Sequence, residues 1–519
     1  MQTLYENGTV LTMDERHPIA QALLVQDGRI AVVGDRDEAL LEVHADCERV
    51  DLAGGCLLPA FIDAHSHLTA CATRYLQADL SGCTSFDALT ARIRNFIAEN
   101  HVPAGQWVQA AGYDHTAMRE GRHPDRAVLD RAAPEHPLLC AHISGHVGAV
   151  NTAGLAALGI TAETEPPEGG KIDFETGYLA EAALVQYQQR IPMPGLDVLL
   201  AAYDRAQALY ASYGIATAQE GMMPPALAPL YRALIDRRAL RLDVVGYADF
   251  AEADAVREAL PDAVGKYSGR FRLGGYKIFL DGSPQARTAW LRAPYVGTED
   301  CGMGTMRDAQ VREALLRAKA DGMQLLAHCN GDAACCQYLD ACAAVGGVNG
   351  LRPVMIHAQL LPPEFLPEVM AYGMIPSFFV GHVKYWGDVH LQNLGPERAA
   401  QISPAGSALK LGLPFTFHQD APVIQPNMLE TVSIAATRRT AAGRILGPAE
   451  AVPTAAGLRA VTANAAYQYF EEDEKGTLTP GKRADLVWID RCPLDVPPEE
   501  LTDLRIQRTV KGGTIIFEL

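Results

Sequence analysis

The sequence predicts an α/β protein built on a parallel (β/α)8 barrel, with a β-rich domain added from the two chain ends. Three observations predict it. Eight short apolar runs lie between residues 57 and 423. Amphipathic, helix-like stretches separate them, as in strand–helix–strand units. The two ends of the chain both read as short strands with little core of their own.

The N-terminal 57 residues carry runs such as ALLVQ (22–26) and RIAVVG (29–34), with Asn7-Gly8 and Asp27-Gly28 as hairpin signals. GTLTPGKRADLVWID (476–490) and RTVKGGTIIFEL (508–519) repeat that pattern at the far end. Small sheets need a partner face to be stable, so residues 1–57 and 470–519 are expected to form one domain.

Residues 58–469 hold the barrel. Its strands are expected in LLPAFIDAH (57–65), GIATAQEG (214–221), RLDVVGYAD (241–249) and RLGGYKIFLDG (272–282). MQLLAHCNGD (323–332), PVMIHAQ (353–359), MIPSFFV (374–380) and LPFTFHQDAPV (413–423) complete the eight. AQVREALLRAKADG (309–322) is one of the intervening helical patterns. The gap after the first run is too long for one crossover, so an inserted subdomain is expected at about 70–200. Trp107, Tyr113 and Asp114 lie in it, and it is expected to cover a pocket.

Polar residues collect at the ends of these runs. The first gives His65 and His67, the fourth Lys277 and Asp281, the fifth His328, the sixth His357, and the eighth His418 and Asp420. In a βα barrel the C-terminal strand ends meet at one face, where catalytic groups gather. Alternation along a strand puts His65 and His67 on one side, able to grip one cation. Each residue alone has a plain reading: a satisfied histidine, a buried ion pair for Lys277, a cap for Asp420. Together, in this order on these strands, they read as a metal site.

Composition narrows the partners. Lysine and arginine number 44 against 62 acidic residues, a formal charge of −18. That surface argues against nucleic acid or an anionic membrane and for a small-molecule substrate. The 11 cysteines show no disulfide framework or CxxC site, which suits a reducing, cytoplasmic setting. The start, MQTLYENGTVLTMDE, lacks the features of a signal peptide, and no apolar run suits a membrane span.

The set His65-x-His67, Lys277, His328, His357 and Asp420 resembles the amidohydrolase superfamily of metal-dependent hydrolases. WVQAAGYDH (107–115), HPLLCAHISGHVGAVN (136–151), GYKIFLDGS (275–283) and VTANAAYQYF (461–470) are similar to its family 3 branch, which holds the YtcJ-like proteins and the N-substituted formamide deformylases. The resemblance implies a TIM-type barrel with a composite β-sandwich. It implies that His65, His67 and Asp420 hold one metal, that His328 and His357 hold a second, and that a carboxylated Lys277 bridges them. Zinc suits these donors, with iron or manganese as alternatives. Asp420 is then the general base and acid in cleavage of a C–N bond, of an N-formyl or other N-acyl group. His146 and His382 are candidates for substrate contact or transition-state stabilisation, with structural hydrogen bonding as the plain alternative.

FHQDAPV departs from the Gly-Ser-Asp-Trp-Pro type run of many relatives, and Cys329 replaces a small apolar residue. His418, Gln419 and Cys329 therefore bear on the substrate. Two other functions stay open: a single-metal deaminase of a cyclic amidine, which Lys277 argues against, and a non-catalytic relative, which six intact ligands argue against. A homodimer is expected as the commonest symmetric state.

Overall fold

The structure is a computed structural model that describes residues 1–142, 147–167, 169–188, 190–192, 194–348 and 350–519. The chain forms two compact units, Met1–Thr69 with Ala206–Leu519, and Ala70–Arg205.

The first unit begins with a sandwich of two sheets. One has the order Arg29–Gly34, Ala22–Gln26, Gln2–Glu6, Glu48–Asp51. The other runs Thr514–Glu518, Ile506–Lys511, Leu486–Ile489, Cys56–Pro59, Thr9–Leu11, Ile19–Ala20. Val487 lies opposite Leu58 in an antiparallel pair, so both chain ends share one sheet. Leu23 and Val25 of the first sheet pack with Leu57, Leu486 and Val510 of the second. Neither end could bury this apolar face alone.

The two hairpin signals have different outcomes. Asp27 and Gly28, at φ 49° and 79°, join Ala22–Gln26 to Arg29–Gly34 in an antiparallel pair. Both positive φ values are what a two-residue hairpin requires. Asn7 also has a positive φ, 61°, but Gln2–Glu6 and Thr9–Leu11 belong to different sheets. Asn7-Gly8 turns the chain from one sheet to the other. A Cβ on Gly8 would lie 2.5 Å from the Gly55 carbonyl oxygen, so the close approach demands glycine.

The barrel follows directly from the sandwich strand Cys56–Pro59. Its strands are β1 (Phe61–Ile62), β2 (Ile215–Met223), β3 (Asp243–Asp249), β4 (Phe271–Phe279), β5 (Gln324–Cys329), β6 (Val354–His357), β7 (Ile375–Phe378) and β8 (Thr416–Phe417). They form one eight-stranded sheet in sequence order, every neighbouring pair parallel. Helices intervene as expected: α1 (Ala228–Asp236), α2 (Ala253–Ala259), α3 (Asp308–Asp321), α4 (Asp332–Ala344), α5 (Leu366–Ala371), α6 (Gly381–Leu394) and α7 (Met428–Thr437). Helix α3 ends on Gly322 at φ 63°, the left-handed stop that glycine favours.

The seam between β8 and β1 is tied by side chains. The last helix, α8 (Ala463–Gln468), places Gln468 so that its Oε1 accepts from the Thr416 hydroxyl while its Nε2 donates to the Ala64 carbonyl, each at 2.8 Å. The His67 N–H also donates to the Ala421 carbonyl at 2.8 Å. Ala465, Ala466 and Tyr469 pack into the barrel core with Ile62, Val245, Leu326 and Ile356. The VTANAAYQYF stretch thus plugs the barrel floor.

The second unit carries a six-stranded sheet, in the order Gly170–Asp173, Tyr178–Glu181, Val147–Val150, Leu138–His142, Val108–Tyr113, Gln77–Asp79. Its last three strands are parallel. Phe86, Leu89 and Ile93 of the helix Phe86–Glu99 pack with Val108, Ala110 and Leu138. Tyr113 is buried in that core, and Trp107 packs against a neighbouring cluster around Leu139 and Val150. No helix of the described residues is long and apolar enough to cross a membrane.

Candidate metal centre

The C-terminal ends of five barrel strands bring His65, His67, Lys277, His328, His357 and Asp420 together. His65 Nε2 lies 3.5 Å from Asp420 Oδ1, and His67 Nε2 lies 3.4 Å from the same oxygen. Lys277 Nζ stands 3.5 Å from His65 Nε2. The His328 and His357 rings meet edge to face with centroids 4.6 Å apart, and His357 is 5.7 Å from His65. His65, Lys277 and His357 are buried; His67 keeps 27% of its side chain exposed, which opens the cluster to solvent.

Partners fix which nitrogen each imidazole presents. Gln219 Oε1 accepts from His65 Nδ1 at 2.6 Å. The Gln219 amide cannot be reversed, because its Nε2 donates to the Ala64 carbonyl and the Tyr469 hydroxyl, both at 2.8 Å. His65 therefore carries its proton on Nδ1 and directs the Nε2 lone pair at the site. Asp281 Oδ1 lies 3.1 Å from His328 Nδ1. The Asn330, Gly331 and Trp290 N–H groups also donate to that carboxylate. His357 Nδ1 pairs with His418 Nε2 at 3.1 Å, and His418 Nδ1 with Ser377 at 2.9 Å.

The electrostatics follow from burial. Burial holds His65 well below the ordinary imidazole value, and the Lys277 charge adds to it. Burial lowers His418 to about 3 and Lys277 to about 8. For Asp420 burial acts against the charge, but His67, His357 and His65 outweigh it and hold the carboxyl well below its usual range. Burial thus favours neutral imidazoles at His65 and His357 beside an ionised Asp420. That is the protonation state in which all can donate lone pairs to a cation.

Asp420 Oδ1 is buried and makes no hydrogen bond to a described residue. A buried carboxylate oxygen left so is costly unless a cation satisfies it. Asp420 and His357 both sit in left-handed backbone, at φ 54° and 71°. Non-glycine residues adopt that region uncommonly, Asp and His more readily than most. The donors fit a divalent ion of the zinc class.

Other expected residues fall as follows. His382 is buried on α6, its Nδ1 3.0 Å from His390 Nε2 and its ring edge-on to Phe379. Asp420, His418 and His328 all act on its charge, after burial and His390, so it lies near the cluster. His146 falls outside the described residues. His418 joins the site through His357, but Gln419 points the other way, donating to Thr431 of α7 at 2.7 Å. Cys329 is buried with its sulfur toward the Ala327 carbonyl.

The sequence reading missed Gln219 and left Asp281 without a role. Gln219 ends the second apolar run, GIATAQEG, which the inventory of strand-end polar residues passed over. The signal that found His328 could have found it.

The sequence profile described as "Amidohydrolase family" matches residues 48–517. The N-substituted formamide deformylase of Arthrobacter pascens is 30% identical over 536 residues, covering 99% of this chain and 97% of that protein. An uncharacterized metal-dependent hydrolase from Pyrococcus furiosus superposes with a TM-score of 0.80 at 24% identity, covering 95% of this chain and 100% of that one. One from Pyrococcus horikoshii OT3 gives 0.80 at 23%, over 96% and 99%. These two structures share the fold.

Proposed function

The chain belongs to the amidohydrolase superfamily, in its family 3 branch, and from that premise we propose that it is a metal-dependent hydrolase of a non-peptide C–N bond, with an N-formyl or other small N-acyl amine as substrate. The observation that carries the reading is the buried Asp420 Oδ1 held between His65 Nε2 and His67 Nε2, at 3.5 and 3.4 Å. The formyl preference rests on the Arthrobacter deformylase, matched across nearly the whole chain.

In this reading His65, His67 and Asp420 hold one ion, His328 and His357 hold a second, and Lys277 bridges them once carboxylated. Carboxylation replaces a buried ammonium by an anionic oxygen donor, which answers the cost of burying Lys277. Zinc fits the donor set, and iron or manganese is accommodated by the same ligands. A divalent ion bound here supplies a Lewis acid and lowers the pKa of a coordinated water from 15.7 toward about 7. Asp420, ionised at neutral pH, accepts the proton of the attacking water and returns it to the departing amine nitrogen. His382 offers a donor to the developing oxyanion, its ring fixed by His390, and His146 is assigned to substrate contact. The cysteines follow no disulfide-framework spacing, which fits a reducing, cytoplasmic setting. A homodimer, read by light scattering, completes the proposal.

Metal analysis of the purified protein and a screen of N-formyl and N-acyl amines for amine release test this together. One or two equivalents of metal and turnover of at least one amide are expected. Turnover confined to a ring amidine or a lactone would overturn the amide reading. Retention of all metal in Asp420→Asn and His65→Asn would overturn the ligand assignment.

A further inference from the structure

A second cluster of donors lies in the unit Ala70–Arg205. Two neighbouring parallel strands, Val108–Tyr113 and Leu138–His142, end at the same sheet edge with Tyr113 opposite His142. The first strand runs straight into Asp114 and His115; the second ends on His142 itself. The carboxyl ends of parallel strands are where α/β sheets commonly take ligands.

We propose that Asp114, His115 and His142 form a second, separate binding site for a divalent cation of the zinc class. Their ligand atoms all lie within 4.8 Å of one another. His115 Nδ1 is 3.1 Å from His142 Nε2, and His142 Nε2 is 3.8 Å from Asp114 Oδ1. Ligands in a zinc tetrahedron stand roughly 3.4 Å apart, given bonds of about 2.0–2.1 Å. These two edges bracket that spacing, and the third, between His115 and Asp114, lies within 4.8 Å. Three protein ligands leave a fourth position for water or an anionic group, and the Asp114 side chain is 40% exposed, so that position is reachable.

The surroundings hold the donors in place. The Thr116 N–H and hydroxyl donate to the Asp114 carboxylate at 2.9 and 2.7 Å. The His115 ring stacks on His123 with centroids 4.1 Å apart. His123 is itself fixed through Nδ1, 2.9 Å from the hydroxyl of buried Tyr113, whose ring edge also meets His142 at 5.1 Å. Orientation of ligands by such outer contacts is typical of metal sites. A hydrogen bond between His115 and His142 would explain their 3.1 Å separation alone. His142 also pairs with Asp114, so the zinc titration is what separates a bound ion from a hydrogen-bonded trio.

The test uses the full chain stripped of metal and titrated with zinc against a chromophoric chelator. Wild type is expected to bind one equivalent more than His115→Ala or Asp114→Asn, or to hold that equivalent at least about tenfold more tightly. Asp420→Asn is expected to keep it, since the barrel cluster is a different site. The partly exposed Asp114→Asn change guards against a folding defect in His115→Ala, and circular dichroism checks both. Zinc stoichiometry and affinity equal to wild type in folded Asp114→Asn and His115→Ala would overturn the proposal without touching the barrel reading.

Discussion

Gln219 Oε1 accepts the Nδ1 proton of His65 at 2.6 Å, although 154 residues separate the two in the chain. That bond selects the tautomer that points Nε2 at Asp420. Gln219→Leu is expected to weaken metal binding by about 10–100-fold, the usual loss for a partner that orients a ligand. Chelator competition measures it. Affinity equal to wild type would show that His65 is oriented by something else.

Gly221 follows the same logic two residues further along β2. A Cβ there would lie 2.6 Å from His65 Cε1 and 2.9 Å from Nδ1. His65 is buried and pinned by Gln219, so it cannot move aside without breaking that bond. Gly221→Ala is expected to reduce metal content in a folded protein, read by elemental analysis beside circular dichroism. Full metal content would mean that the ring has room to shift.

Burial lowers the Lys277 ammonium to about 8. The neutral amine is the form that takes up carbon dioxide, and its share grows as pH rises through 8. Lys277→Ala is expected to lose bound metal and at least about a hundredfold in turnover, partly restored by added short-chain carboxylic acids that fill the bridging position. Unchanged metal and activity in this variant would remove the bridge from the mechanism.

Stability has a different focus. Asp243, at the start of β3, meets Lys475 at 2.8 Å, Lys511 at 2.6 Å and Arg483 at 3.0 Å, tying the barrel to the C-terminal segment. Burial opposes its charge, but Lys475, Lys511 and Arg483 outweigh burial and hold the carboxyl well below the usual range. Such a group contributes stability above its unfolded value, near 3.8, and that contribution is lost as pH falls from there toward the folded value. Asp243→Asn removes one of the carboxylates shared by these cations, leaving Glu471 to Lys475 and Asp485 to Lys511, and is expected to cost about 1.5–3 kcal/mol. Urea denaturation at pH 7 would read this as a lower midpoint, and wild type should lose the difference in acid. An unchanged midpoint would mean that the cations find other partners.

Much of the barrel was legible because its signals are local. Each of the eight apolar runs marks one of β1 to β8, with β2 and β4 reaching slightly beyond theirs, since short buried strands announce themselves by composition. Strand-end placement then led to His65, His67, Lys277, His328, His357 and Asp420 at one mouth. Asn7-Gly8 misled because an Asn-Gly pair marks a turn without saying which sheet the chain enters next. The Asp114, His115 and His142 cluster was missed because two of its members follow one strand and the third ends another.

The sequence by itself determined the barrel and the candidate ligands, because alternation and strand-end chemistry are written in consecutive residues, and its motifs carried the resemblance to the family. Tertiary structure alone decided how three of these candidates are oriented. His65 is oriented by Gln219 of β2, His328 by Asp281 beyond β4, and His357 by His418 beyond β8. Tautomer choice is made by whichever partner the neighbouring strand delivers, and strand pairing sets that across gaps of 154, 47 and 61 residues.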